Sequence, residues 1–191
     1  MLLYSKILVK NACLLYNDKM KSEITIPKEV QKVIETITAA GYEAYIVGGC
    51  VRDLLRGVGP KDWDVATSAK PEEILALFTE SFYENAFLTV TVKTGSDDPA
   101  LKEIEVTTFR EEGKYTDKRH PDEVRFAKTL EEDLSRRDFT INAIAVAVSD
   151  YEPQATRQRR GSPKAASYKL IDPFKGQEDI KKKLIRAVGD P

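Results

Sequence analysis

Seventeen residues hold the two features with most chemical promise: Gly48-Gly49-Cys50-Val51-Arg52-Asp53 at one end and Asp62-Trp63-Asp64 at the other. A glycine pair that ends a strand and opens a helix lets the backbone approach phosphate oxygens and aims N–H groups at them. Arg52 falls in the first helical turn, where a guanidinium can grip a phosphate in bidentate fashion. Asp62 and Asp64, at i and i+2 of a strand, project from one face and repel unless a cation lies between them. Hard oxygen ligands suit Mg²⁺, which keeps several waters and shares its other sites with substrate phosphates. Together the features point to metal-dependent transfer of a nucleotide. Each has a blander reading: an ordinary Gly-Gly turn with Arg52 bonded to Asp53 or solvent, and a solvated strand end. Trp63 is expected on the opposite face, in the core.

A third carboxylate would complete a two-metal site for in-line displacement at a phosphate. In Glu103-Ile104-Glu105-Val106-Thr107-Thr108-Phe109 the apolar residues alternate with Glu103 and Glu105. Either glutamate shares a face with the aspartates if the strands are neighbours. A further cluster is Arg136-Arg137-Asp138-Phe139-Thr140-Ile141-Asn142-Ala143. Its arginines supply phosphate-binding forks, and Asp138 and Asn142 offer sugar or amide contacts. The bland alternative is a helix end with an Arg-Asp pair and Asn142 as a cap.

These residues need a scaffold. Pro27 to Ala40 reads as an amphipathic helix, with proline in its first turn and Gly41 stopping it. Glu43 to Val47 is β-prone and runs into the glycine pair; Val51 to Arg56 is a short helix, Asp62 to Ala66 a strand and Pro71 to Phe78 a helix. Phe87 to Lys93 and Leu101 to Phe109, separated by Gly95-Ser96-Asp97-Asp98-Pro99, signal a hairpin. Arg110 to Asp122 reads as a polar loop, Val124 to Ala127 as a strand and Leu130 to Arg136 as a short helix before the apolar run Ile141 to Val148. Gln154 to Ser167 is expected to be a flexible basic loop. Lys169 to Ile171 and Leu184 to Val188 read as strands around a helix over Gln177 to Lys183. The predicted fold class is α+β: a mixed, largely antiparallel sheet with flanking helices. Strict βαβ alternation is absent, which argues against a doubly wound fold.

Composition narrows the classes. The 191 residues are 41% hydrophobic and 32% charged, the balance of a soluble globular chain with one well-buried core. No segment approaches the roughly 18 uninterrupted apolar residues of a membrane span, so no membrane partner is expected. Lys6 and Lys10 interrupt the mildly apolar start and no small-residue cleavage site follows, so residues 1–22 are expected to be an N-terminal extension rather than a signal peptide. Cys13 and Cys50 form no metal-type spacing and read as free thiols in a reducing cytoplasm. The one histidine, His120, gives a zinc site or a Ser-His-Asp triad little to build on. The net charge of −1 hides +5 over residues 151–191 and −6 over the rest, so a polyanion would have to be met locally.

GGCVRD, DWD, EVTTFR and RRDFTINAIA, in this order, resemble the catalytic head of the tRNA nucleotidyltransferase and bacterial poly(A) polymerase family, which belongs to the DNA polymerase beta-like nucleotidyltransferases. The resemblance runs from Ile24 to Pro191 and gives residues 23–191 as one head domain. It implies Mg²⁺ held by Asp62 and Asp64, with Glu105 as third catalytic carboxylate. It implies triphosphate contacts from Gly48, Gly49 and Arg52, and contacts to phosphate and ribose from Arg137, Asp138 and Asn142. The implied reaction is attack by the 3′-terminal ribose hydroxyl of tRNA on the α-phosphate of CTP or ATP, with release of pyrophosphate. Poly(A) polymerase shares these motifs, and a non-catalytic nucleotide-binding module is the rival of a different class. Tyr115 to Pro121 looks like the family's mobile loop, with His120 ordering it. Leu88 stands where relatives usually have glycine. The chain stops short of the acidic and arginine residues that select the base in relatives, and of their helical body and tail. The expectation is a head without its selector, a fragment or half of a two-chain enzyme, in which most tRNA contacts come from missing domains or a second chain.

Overall fold

The computed structural model describes residues 24–84, 89–111, 125–149 and 167–189. The expectations for residues 1–22, Leu88, the loop 115–121 with His120, and 154–166 of the basic loop fall outside them.

Helix α1 (Lys28–Ala39) follows Pro27, and its apolar positions Val30, Val33, Ile34 and Ile37 are all buried. Gly41 ends the segment at φ +93°, a left-handed conformation that suits a residue without Cβ. Strand β1 (Ala44–Val47) then leads through the glycine pair into α2 (Gly49–Leu55). Strand β2 (Asp64–Thr67) and helix α3 (Pro71–Leu77) come next. Proline, Glu72 and Glu73 occupy the first turn of α3, where fixed φ and negative charge favour a helix start.

Strands β3 (Ser81–Glu84), β4 (Thr89–Lys93) and β5 (Glu103–Thr108) follow, then β6 (Arg110–Glu111) and β7 (Arg125–Phe126), which pair as a separate two-stranded ribbon. Helix α4 (Leu130–Ser135) opens with a capping box in which the Thr129 side chain accepts from the Glu132 backbone N–H and Glu132 reaches back. A 3₁₀ turn (Thr140–Asn142), strands β8 (Ala145–Ser149) and β9 (Ser167–Ile171), and helix α5 (Gly176–Lys182) complete the described chain.

The main sheet has seven strands in the order β3-β4-β5-β2-β1-β8-β9, all pairs antiparallel except β2 with β5. The expected α+β class and hairpin are therefore present. One face carries Ile46, Val65, Val90, Val92, Ile104 and Val106 and packs in one cluster with α1 and Ile74 of α3. The alternate residues Val47, Ala66 and Ala145 belong to a second cluster with Phe109, Leu130, Leu134 and Ala143. Period-two alternation thus splits the strands between two cores, and the carboxylates stand on the second face.

Five expectations need correction. Arg110 and Glu111, expected to open a polar loop, form β6 by pairing with β7, and Ser167, expected to end the basic loop, begins β9 by pairing with Ser149. Asp62 precedes β2 rather than lying within it, because the chain bends at Lys61 and Asp62. Ser81–Glu84, not anticipated, is an edge strand. Leu184 to Val188 is no strand; it makes a single bridge, Phe139 with Ala187, because its backbone bonds the segment Asp138 to Thr140 (Thr140 N–H to the Arg186 carbonyl, Val188 N–H to the Asp138 carbonyl) instead of a sheet strand.

Candidate active site

The β1–β2–β5 register sets the site. Val47 faces Asp64 across one ladder, and Asp64 faces Glu105 across the next, the parallel one. Ile104 and Val106 are buried in the first core, so Glu105 must project from the other face, beside Asp64. Trp63 is 3% exposed and sits in that first core, as expected. It leaves Asp62 and Asp64 on the side of Glu105. Glu103 lies on the same face, two residues earlier, at the start of the strand.

Electrostatics show how close the carboxylates are. Burial first, and then the charges of Glu105 and Asp62, lift the Asp64 carboxyl to about 6 against the opposing charge of Arg137. Glu105 is raised too, first by burial and then by Glu84 and Asp62. Glu84, on β3, is therefore a fifth acid on this face, one that sequence reading did not single out. These hard oxygen donors carry uncompensated negative charge, which fits a divalent cation. They are spread rather than closed: among the described residues no three His, Cys, Asp or Glu side chains converge into a ready cage. An open set of this kind suits an ion that keeps waters and takes phosphate oxygens.

Beside the carboxylates lies the anion-binding half. Gly48 has φ +81°, and a Cβ there would meet Arg137 Nη1 at 3.0 Å and Asp64 Oδ2 at 3.1 Å. A side chain at 48 would thus intrude between the arginine and the aspartate. Gly49 opens α2, and its missing Cβ faces the Arg52 guanidinium at 3.5 Å. Arg52 donates from Nε to Asp53 Oδ1 (3.0 Å), from Nη2 to Asp53 Oδ2 (3.2 Å) and from Nη1 to Asn142 Oδ1 (2.9 Å). Asn142 in turn donates from Nδ2 to Asp138 Oδ1 at 3.0 Å. The bland Arg52–Asp53 pair therefore exists, and beyond it a chain of contacts joins the glycine motif to the Arg137 motif.

Arg137 is held by a residue that sequence reading missed. Asp133, 1% exposed, accepts from Arg136 Nε (3.1 Å) and Nη2 (3.0 Å), Arg137 Nη2 (3.2 Å) and the Arg110 backbone N–H (3.3 Å). The signal was available: Asp133 stands four residues before Arg137 on a predicted helix, where such pairs meet. Arg137 Nε is buried without a hydrogen-bond partner among the described groups, so the guanidinium keeps a donor to spare. Behind it, Thr140 Oγ1 donates to the buried Asp179 Oδ2 at 2.6 Å, and Arg186 Nε donates to the same oxygen at 3.0 Å. Thr140 and Arg186 hold the Asp179 carboxyl below the usual range. A Cβ on Gly176 would run into the Thr140 carbonyl, so α5 seats directly under the 3₁₀ turn that bears Asn142.

Cys50, between the halves, is buried and donates from Sγ to the Val47 carbonyl; burial pushes its thiol up to about 12, which makes it a packing residue, not a nucleophile. A surface hollow of about 1000 Å³, lined by α1, Phe78 and Thr94 to Asp97, shares none of the site residues.

The fold has counterparts among known proteins. A family model described as the poly A polymerase head domain matches residues 44–186. The CCA-adding enzyme of Oceanobacillus iheyensis is 44% identical over 161 residues, 83% of this chain and 34% of the relative. The Bacillus stearothermophilus CCA-adding enzyme in complex with CTP superposes with a TM-score of 0.63 at 36% identity, over 86% of this chain and 34% of the other. A tRNA nucleotidyltransferase complexed with a primer tRNA and an incoming ATP analog gives a TM-score of 0.57 at 30% identity, over 82% and 39%. The chain spans about a third of the length of the curated relatives it matches. Among the described residues, no helix is long and apolar enough to cross a membrane.

Proposed function

The chain belongs to the poly(A) polymerase head-domain family, and on that premise we propose that it is the nucleotidyltransferase head of a CCA-adding enzyme. In this reading a nucleotide is transferred from CTP or ATP to the 3′ end of tRNA and pyrophosphate is released. The observation that carries it is the Asp64–Glu105 register beside Gly48 and Arg137, which sets an acidic row against a phosphate cradle. Relatives named as CCA-adding enzymes, and structural neighbours solved with CTP or with primer tRNA, support the choice of substrates.

Family membership implies a divalent cation, and Mg²⁺ is our choice because the donors are all carboxylate oxygens. Asp62 and Asp64 would hold it, and when bound it would neutralise charge on the triphosphate and on the attacking oxygen. The chain's own residues do the rest. The Gly48-Gly49 backbone lies where phosphate oxygens need a surface without side chains. Arg52 and Arg137 face it with guanidinium groups already fixed by Asp53 and Asp133, so little side-chain entropy remains to be lost on binding. Asn142 and Asp138, tied to Arg52 by hydrogen bonds, would contact the ribose. Glu105 lies on the far side of Asp64 from the cradle, where it orients the attacking hydroxyl. Cys50 is a free, buried thiol, and we place the protein in the cytoplasm on that ground.

The test is a graft. Residues 24–189 replace the corresponding third of the Oceanobacillus iheyensis relative, and the chimera is given Mg²⁺, labelled CTP and ATP, and tRNA lacking its CCA end. CCA addition by the chimera, lost with Asp64→Asn, is expected. A folded chimera that adds poly(A) without C, or one unaffected by Asp64→Asn, would overturn the proposal.

A further inference from the structure

The active face extends beyond the carboxylates. Register places Val47, Asp64, Glu105, Thr91 and Phe82 in one row across β1, β2, β5, β4 and β3. Thr89 and Thr91 are 4% exposed, but Phe82, on the edge strand, is 39% exposed. Its neighbour Tyr83 packs against the first core, so Phe82 stands on the face of the acidic row. Lys93 Nζ lies 5.4 Å from the Phe82 ring centroid, which places a cation against the aromatic face. Single exposed phenylalanines are ordinary. This one shares a row with two site carboxylates.

In-line displacement puts the attacking hydroxyl opposite the leaving pyrophosphate. With the phosphate cradle at the β1 end of the row, the hydroxyl and the nucleotide that bears it must approach over β5 and β4, toward β3. Two strand spacings, about 10 Å, separate Phe82 from Glu105, a reach of one to two nucleotides. We infer that Phe82 is a stacking platform for a base at the single-stranded 3′ end of the RNA acceptor, with Lys93 against its backbone. This rests on the proposed function. Aromatic rings stack unpaired bases with little regard to sequence, as an end changing from one nucleotide to the next requires. Glu84 and Glu103 flank the pair and disfavour a phosphate-dominated contact, so the ring supplies most of the affinity and Lys93 one charge.

The experiment uses the 191-residue protein, Mg²⁺ and a 5′-labelled single-stranded RNA ending in CC, read by fluorescence anisotropy. Phe82→Ala is expected to weaken RNA binding about 5- to 150-fold, and Phe82→Trp to restore it. Lys93→Ala is expected to lower the slope of log affinity against log salt by about 1. Phe126→Ala, another exposed phenylalanine at 43% but on the small ribbon, is the control and leaves RNA binding unchanged. Three results would overturn the inference: wild-type affinity in Phe82→Ala, no RNA binding by the wild type up to millimolar concentration, or an equal loss in Phe126→Ala. Mg²⁺–CTP binding by the wild type is measured in parallel. Its presence with no Phe82 effect sinks this inference alone, whereas its absence sinks the reading beneath it.

Discussion

The two halves of the site are held in opposite ways. In the phosphate cradle each arginine already has a carboxylate: Arg52 has Asp53, and Arg137 has the buried Asp133. In the acidic row, backbone pairing places Asp64 beside Glu105, and their repulsion is opposed chiefly by Arg137. The first half is ordered by its own charges; the second is ordered despite them. Binding of a cation therefore has strain to relieve in the row, whereas binding of an anion in the cradle exploits groups already in place.

Removing the row's central acid should have the largest effect. Asp64→Asn keeps the shape and removes the charge, and transfer by the grafted enzyme should fall by about 10²–10³-fold or more. A loss under tenfold would show that Asp64 is not at the reacting centre. Asp133→Ala attacks the other half through stability, since it leaves two partly buried arginines without their carboxylate. Urea unfolding should show a loss of about 3–5 kcal/mol; a loss under 1 kcal/mol would mean that the cradle does not depend on Asp133.

The same contrast predicts how the metal-free protein responds to pH. Asp64 ionises at about 6 in the folded chain, above its ordinary value of 3.8. The folded state therefore binds more protons than the unfolded one between those values, and stability falls as pH rises from about 4 to about 6. The fall should amount to about 1–3 kcal/mol and shrink in Asp64→Asn to what Glu105, itself raised, contributes. The variant lost to catalysis is then the more stable protein above pH 6, a trade expected of a strained functional site. Equal slopes in the two proteins would remove the claim of repulsion in the row. The smallest effect belongs to Asp53→Ala, which frees Arg52 at a partly exposed position. It should cost about 1 kcal/mol of stability or less, with weaker CTP binding as the more sensitive readout.

How far the sequence reveals this depends on whether a feature is local. Helix α1 is legible because its four apolar positions and Gly41 lie in one stretch, and the glycine pair announces the end of β1. Glu105 is legible as one of two alternating glutamates; only the parallel pairing of β2 with β5 selects it over Glu103 as the partner of Asp64. Ser81–Glu84 is short and half polar, and becomes a strand only because β4 lies beside it. Leu184 to Val188 has the composition of a strand, but its backbone bonds the Asp138 to Thr140 segment rather than a sheet edge. Asp133 shows its spacing to Arg137 but not its burial, which comes from the packing of α4 against Phe109 and Val47. Chemistry set by neighbours in sequence is readable; chemistry set by neighbours in space is not.

The central claim is that the acidic row and the cradle bind one ligand together, a nucleoside triphosphate with its divalent cation. Calorimetric titration of CTP into the wild type and Asp64→Asn, each with and without Mg²⁺, tests it most directly. Wild-type binding that requires Mg²⁺ and disappears in Asp64→Asn is expected. Equal CTP affinity in the two proteins, or wild-type affinity indifferent to Mg²⁺, would contradict it.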